Sequence, residues 1–133
     1  MPVRSALLLA ALALLAAPAS AQMLPSGTWT GTLAEADGEA RPVEATIERC
    51  ATGFRVVLDV GGRTAETETA TWERGRLQFR LPRLRLPGAV LPRTLACDLR
   101  QRDDGELGGT CTAGRAAYRL RLAPPASGAV GCD

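Results

Sequence analysis

Histidine, lysine and asparagine are absent from this 133-residue chain. Without histidine there is no Ser–His or Cys–His couple, no imidazole proton shuttle and no imidazole metal ligand. Without lysine there is no Schiff-base nucleophile and no P-loop, whose lysine contacts the phosphates. Aromatic side chains make up only 4% of the chain, too few to interleave with basic residues as single-stranded nucleic-acid binding requires. All sixteen basic residues are arginine, set against fourteen acids for a formal net charge of +2. That balance gives no global field to draw in nucleic acid or an anionic surface. Two chemistries survive these absences, a carboxylate pair for acid–base work and an all-cysteine metal site. A four-cysteine zinc site uses close-spaced pairs, whereas Cys50, Cys97, Cys111 and Cys132 are scattered. Four cysteines in a small exported domain read as two disulfides. The sequence therefore predicts no metal, no cofactor and no enzymatic role.

The N-terminus indicates export. Arg4 precedes an apolar run of twelve residues from Ala6 to Ala17, and Ala19-Ser20-Ala21 supplies the small-x-small pattern of a signal-peptidase site. The run falls short of the roughly 20 residues a helix needs to cross a bilayer, and no cysteine follows the cut to carry a lipid. Residues 1–21 are thus predicted to be a cleaved signal peptide, with no membrane insertion afterwards. Residues 22–133 are predicted to form one periplasmic or secreted domain.

The body of the chain alternates apolar and polar residues in short runs. Thr28–Leu33, Val43–Arg49, Phe54–Val60, Thr64–Trp72, Arg76–Leu81, Thr94–Gln101, Leu107–Cys111 and Ala116–Leu122 all read as strands. Period-2 alternation buries one face and solvates the other, as in an antiparallel meander. The fold class is all-β, an antiparallel eight-stranded meander barrel, with a two-sheet sandwich as the alternative.

Turn residues fix registers. Asp103-Asp104-Gly105 suits a three-residue hairpin loop, which sets Arg102 opposite Glu106, Leu99 opposite Gly109 and Cys97 opposite Cys111. Facing Cα atoms lie within disulfide range, which leaves Cys50 with Cys132 as the second pair. A turn at Ala113-Gly114 brings Tyr118 across from Gly109. One at Thr52-Gly53 pairs Ile47 with Leu58 and Ala45 with Val60. Arg74-Gly75 pairs Trp72 with Leu77 and Ala70 with Phe79, placing Arg80 near Glu68 and Thr69.

Three segments resist a plain reading. In Thr64–Trp72 the inward parity conflicts: either Trp72 and Ala70 face inward with Glu66 and Glu68, or the threonines do. A bulge near Gly61-Gly62 resolves the conflict; otherwise Glu66 and Glu68 line a polar cavity and form the one carboxylate pair available for catalysis. Residues 74–102 hold eight arginines against Asp98 alone, while residues 35–73 hold nine acids against four arginines. Arg76, Arg80, Arg83 and Arg85 form either an anion-binding stripe or a set of neutralising partners for the acidic strands. From Pro82 to Pro92 the prolines break any ladder, predicting a long extended loop with Leu84, Leu86, Val90 and Leu91 exposed as a lid or docking surface.

Gly27-Thr28-Trp29 opening the first strand, followed by an eight-stranded meander with Arg119 and Arg121 in the last, resembles the calycin architecture shared by lipocalins and avidins. The resemblance implies that Trp29 plugs the barrel base and that Arg119 or Arg121 packs against it. The lipocalin T-D-Y signature is absent, and two tryptophans cannot build the avidin biotin cage, so no ligand identity follows. The expected function is binding of an apolar or amphipathic small molecule, with Trp72, Phe79 and Tyr118 as the apolar lining. The alternative is an envelope protein-interaction module, an inhibitor or assembly factor, that uses the arginine stripe and the 82–92 loop.

Overall fold

The computed structural model describes residues 23–51 and 53–126. The predicted signal peptide and Cys132 lie outside them. Eight strands run in chain order: β1 (Gly27–Glu35), β2 (Ala40–Cys50), β3 (Gly53–Val60), β4 (Arg63–Glu73), β5 (Arg76–Leu84), β6 (Arg93–Gln101), β7 (Leu107–Ala113) and β8 (Ala116–Ala123). Each pairs antiparallel with the next, and β8 returns to β1, so the sheet closes into a barrel. Closure removes the sandwich alternative.

Alternation explains the two faces. Val43, Ala45 and Ile47 on β2, Val56, Leu58 and Val60 on β3, and Leu95, Cys97 and Leu99 on β6 all point inward and are buried. The intervening residues, such as Glu44, Arg80 and Arg100, are exposed. Leucines dominate the lumen: Leu58, Leu77, Leu81, Leu95, Leu99, Leu107, Leu120 and Leu122 are almost wholly buried beside Trp29. An eight-stranded barrel has an interior just wide enough for side chains to fill, and here the leucines fill it.

Several turn-derived registers hold. Trp72 faces Leu77, while Leu99 faces Gly109 and Cys97 faces Cys111. The Arg102 N–H donates to the Glu106 carbonyl at 2.7 Å. The Cys97–Cys111 disulfide forms between Cα atoms 4.0 Å apart, as suits the narrow pairs of an antiparallel ladder. Alanine at both positions is expected to cost about 3 kcal/mol from loop closure, read as a lowered urea midpoint with a somewhat larger m-value, because the unfolded chain loses its cross-link and expands. The second expected pairing, Cys50 with Cys132, has one member outside the described residues; Cys50 itself is not a free thiol.

Two registers need correction by two residues. Cys50 faces Gly53 across β2 and β3, so Ile47 faces Val56 and Ala45 faces Leu58. The β7–β8 loop is Gly114-Arg115, which puts Tyr118 opposite Cys111 and gives Gly109 to Leu120. A shift of two preserves the facing of every side chain, which is why the buried set was readable even where the pairing was not. The β4–β5 register is as expected but short: the ladder runs only from Glu73–Arg76 to Thr71–Gln78 and stops before Ala70 and Phe79, while on its β3 side Ala70 faces Phe54.

The parity conflict in β4 is resolved by a bulge, placed at Glu68-Thr69 instead of near Gly61-Gly62. Between Phe54 and Val56 the partner strand advances from Ala70 to Thr67, so two successive residues face out and the inward set changes phase. A second bulge, at Pro82-Arg83, interrupts β5 between Leu81 and Leu84. The segment beyond it is not the simple extended loop expected. Leu84 and Leu86 are buried in the core instead of exposed. Leu86-Pro87-Gly88-Ala89 forms a turn closed by the Ala89 N–H donating to the Leu86 carbonyl at 3.0 Å. Pro87 at the second position and Gly88 at the third, with φ 83°, are the residues a type II turn requires.

Candidate functional site at the open end of the barrel

The two barrel ends are built differently. At one end, Trp29 is fully buried and its indole N–H donates to the Pro25 carbonyl at 3.1 Å. Leu24, just ahead of β1, is buried there as well. The calycin resemblance implies a tryptophan at the barrel base with an arginine packed against it. The arginine partner does not appear: Arg119 and Arg121 are exposed on the outer face of β8, and Arg121 ion-pairs with Glu106 at 3.2 Å.

At the opposite end, the β1–β2, β5–β6 and β7–β8 connections converge around a hollow of about 250 Å³. Leu33, Pro87 and Tyr118 supply apolar walls, and Glu35, Glu39 and Arg41 supply charge. A neighbouring hollow of about 630 Å³ shares Glu35, Pro87 and Tyr118 and adds Leu86, Arg93 and Arg115. Tyr118 is the hinge between the two. Burial raises its phenol pKa above the ordinary value; the Glu35 carboxylate adds to the rise and Arg93 opposes it. A half-buried aromatic flanked by one acid and one base offers stacking area and a hydrogen-bonding hydroxyl to a bound molecule.

The expected ligand-lining residues do not all meet at this place. Phe79, Cys97, Cys111 and Tyr118 lie side by side across β5 to β8, so Phe79 and Tyr118 flank the disulfide on the lumen side. Trp72 sits at the other end of the barrel beside the Arg74-Gly75 turn, partly buried against the core. Glu66 and Glu68 are exposed on the outer face and line no lumen; Glu66 accepts from Arg55 Nε at 3.1 Å. The bulge turns both carboxylates to solvent, which removes the polar-cavity reading.

The arginine stripe divides. Arg76 donates through both Nε and a terminal nitrogen to the Asp98 carboxylate. Arg80, Arg83 and Arg85 are exposed and make no ion pair among the described residues, so Arg80 does not neutralise Glu68. Leu86, expected on the same surface, is buried beneath it. The hydrogen bond from Arg76 holds the Asp98 carboxyl below its ordinary pKa. A depressed carboxylate stabilises the fold above its unfolded value, about 3.9, and that contribution is lost as pH falls through the lower folded value. Arg76→Gln is expected to return the Asp98 titration to the ordinary range, measured by side-chain carboxyl NMR.

Leu33, Glu35, Arg41, Pro87, Arg93 and Arg115 were not singled out as site residues from the sequence. They come from β1, β2, the β5–β6 loop, β6 and the β7–β8 loop, and only the fold brings them together. The one early signal was the Pro-rich 82–92 segment, whose position between two strands marks a barrel end. Among the described residues no group of acids and cysteines is placed to hold a metal ion.

Fold and site define a class, a closed eight-stranded antiparallel barrel with a side-chain-filled lumen and one hollowed end. The architecture is compatible with that of the calycins. The chain matches no protein-family model, no curated protein and no solved structure at a significant level.

Proposed function

We propose that this protein is an exported, non-catalytic binding module of calycin-like build that takes an apolar or amphipathic small molecule at the open end of its barrel. The carrying observation is the hollow around Tyr118, where Leu33 and Pro87 meet Glu35, Glu39 and Arg41. Apolar walls with a few polar groups are the usual composition of small-molecule sites. Because leucines occupy the lumen, the ligand rests at the rim against Leu33, Pro87 and Tyr118 instead of entering the barrel. An amphiphile fits this arrangement best, its chain against Tyr118 and Pro87 and its head among the charged residues of the rim.

Titration with a fluorescent fatty-acid analogue tests the reading. Saturable binding is expected, weakened about tenfold by Tyr118→Ala, equivalent to about 1.4 kcal/mol. Arg80→Ala/Arg83→Ala/Arg85→Ala is expected to leave that affinity unchanged. Affinity insensitive to Tyr118→Ala would remove the site.

A second reading has its own observation. Arg80, Arg83 and Arg85 are exposed without ion-pair partners among the described residues, whereas Arg76 and Arg121 each hold a carboxylate. Unspent guanidinium groups in one stretch suit an acidic envelope protein recognised by carboxylate pairing. Under this reading the triple arginine variant loses partner capture and Tyr118→Ala does not.

A further inference from the structure

The connection from β5 to β6 carries the most exposed large apolar side chains of the barrel. Val90 is 83% and Leu91 68% exposed, adjacent in sequence and bounded by the Pro87 turn and by Pro92. The same loop sends Leu84 and Leu86 into the core, so the exposure of Val90 and Leu91 is not that of a segment with nothing to bury it. The inner half of the loop anchors it, and the tip is held out in water.

Along the loop and the strand residues that flank it the charge has one sign; the acids at this end of the barrel, Glu35 and Glu39, come from the β1–β2 side. No acid occurs between Arg74 and Cys97. Pro82 and Arg83 both face outward because the bulge falls on them, and Arg83 adopts left-handed backbone, φ 57°, to make it. Arg85 is exposed, and Arg93, also exposed, borders the adjoining hollow with Arg115; Glu35 is the one carboxylate there among the described residues. None of these arginines ion-pairs within the described residues.

We infer that this loop docks the barrel on an anionic phospholipid surface, with Val90 and Leu91 entering the interface and Arg83, Arg85 and Arg93 contacting lipid phosphates. Size decides between a bilayer and a protein partner. A stable protein interface buries about 800 Å² per side, far more than two side chains offer. Peripheral membrane attachment needs only a few apolar side chains together with basic charge. The docking is shallow and reversible, and no strand or helix crosses the bilayer. It is independent of whether the hollow beside Tyr118 holds a ligand.

Vesicle co-sedimentation tests it, using protein purified after export to an oxidising periplasm. The protein is expected to pellet with phosphatidylcholine vesicles containing phosphatidylglycerol, weakly with pure phosphatidylcholine, and less as salt rises. Val90→Glu/Leu91→Glu abolishes pelleting, and Val90→Ser/Leu91→Ser reduces it. Arg83→Gln/Arg85→Gln lowers partitioning by roughly fivefold per arginine. All four positions are exposed, and an unchanged circular dichroism spectrum verifies the fold of each variant. Failure of the unaltered protein to pellet with the anionic vesicles would overturn the inference. So would equal pelleting with both compositions, or pelleting untouched by the glutamate pair. A self-association in solution that the glutamate pair dissolves would assign the tip to a second copy of the chain instead.

Discussion

Gly31→Ala is expected to destabilise the barrel by on the order of 4 kcal/mol, the upper end of single-substitution effects. A Cβ on Gly31 would lie 1.7 Å from the Arg121 carbonyl oxygen and 2.9 Å from the Leu122 Cα. Both are backbone atoms, so no rotamer change relieves the overlap, and β8 must move away from β1. That pair is the one that closes the sheet. Gly31 faces Leu122 on β8 and Val43 on β2, so displacing it opens the core to water between three strands. Gly109→Ala is a parallel case, with the Asp98 carbonyl 2.0 Å from the added carbon. Urea unfolding checks both, and a loss under about 1 kcal/mol, the size of an ordinary substitution, would show that the β1–β8 seam yields more easily than its geometry indicates.

The role of Gly31 illustrates what the sequence carried and what it did not. Its place on the face of Trp29 and Leu33 follows from alternation alone. Its contact with Arg121 depends on residues ninety positions apart, and nothing local specifies that. The same division runs through the molecule. Inward and outward faces were legible on most strands because the side-chain period is two. Pairings were legible where a turn has one strong solution, as at Asp103-Asp104-Gly105, and slipped by two at Gly114, which takes the first loop position instead of the second, and at Gly53, which opens β3 opposite Cys50. The Glu66 and Glu68 ambiguity was visible as a parity conflict, but its resolution depended on a bulge whose location only the β3 partner sets. The mouth site was illegible because its residues share no motif, only an end of the barrel.

Trp29→Ala carries the second large effect, an expected loss of about 3–5 kcal/mol as for other buried large aromatics. The indole is completely buried, sits opposite Ala45, and has its N–H satisfied by the Pro25 carbonyl. Removing it leaves a cavity at the closed end and frees the residues ahead of β1 that it tethers. Trp29→Phe separates the two contributions: most of the packing stays while the hydrogen bond goes, and a loss of about 1 kcal/mol is expected for that bond. If Trp29→Ala cost no more than Trp29→Phe, the tryptophan would be a local clasp and not a plug. Neither substitution is expected to alter binding at the opposite end, since the leucine-filled lumen separates them.

Native and denaturing mass spectra of the protein purified from an oxidising periplasm, recorded beside Tyr118→Ala, test the central claim most directly. The account predicts a discrete adduct that the native protein carries, that denaturation releases, and that Tyr118→Ala lacks while its disulfide remains formed. An adduct retained in full by Tyr118→Ala, or a protein that stays free of adducts and takes up no added amphiphile, would contradict a ligand site at the open end of the barrel.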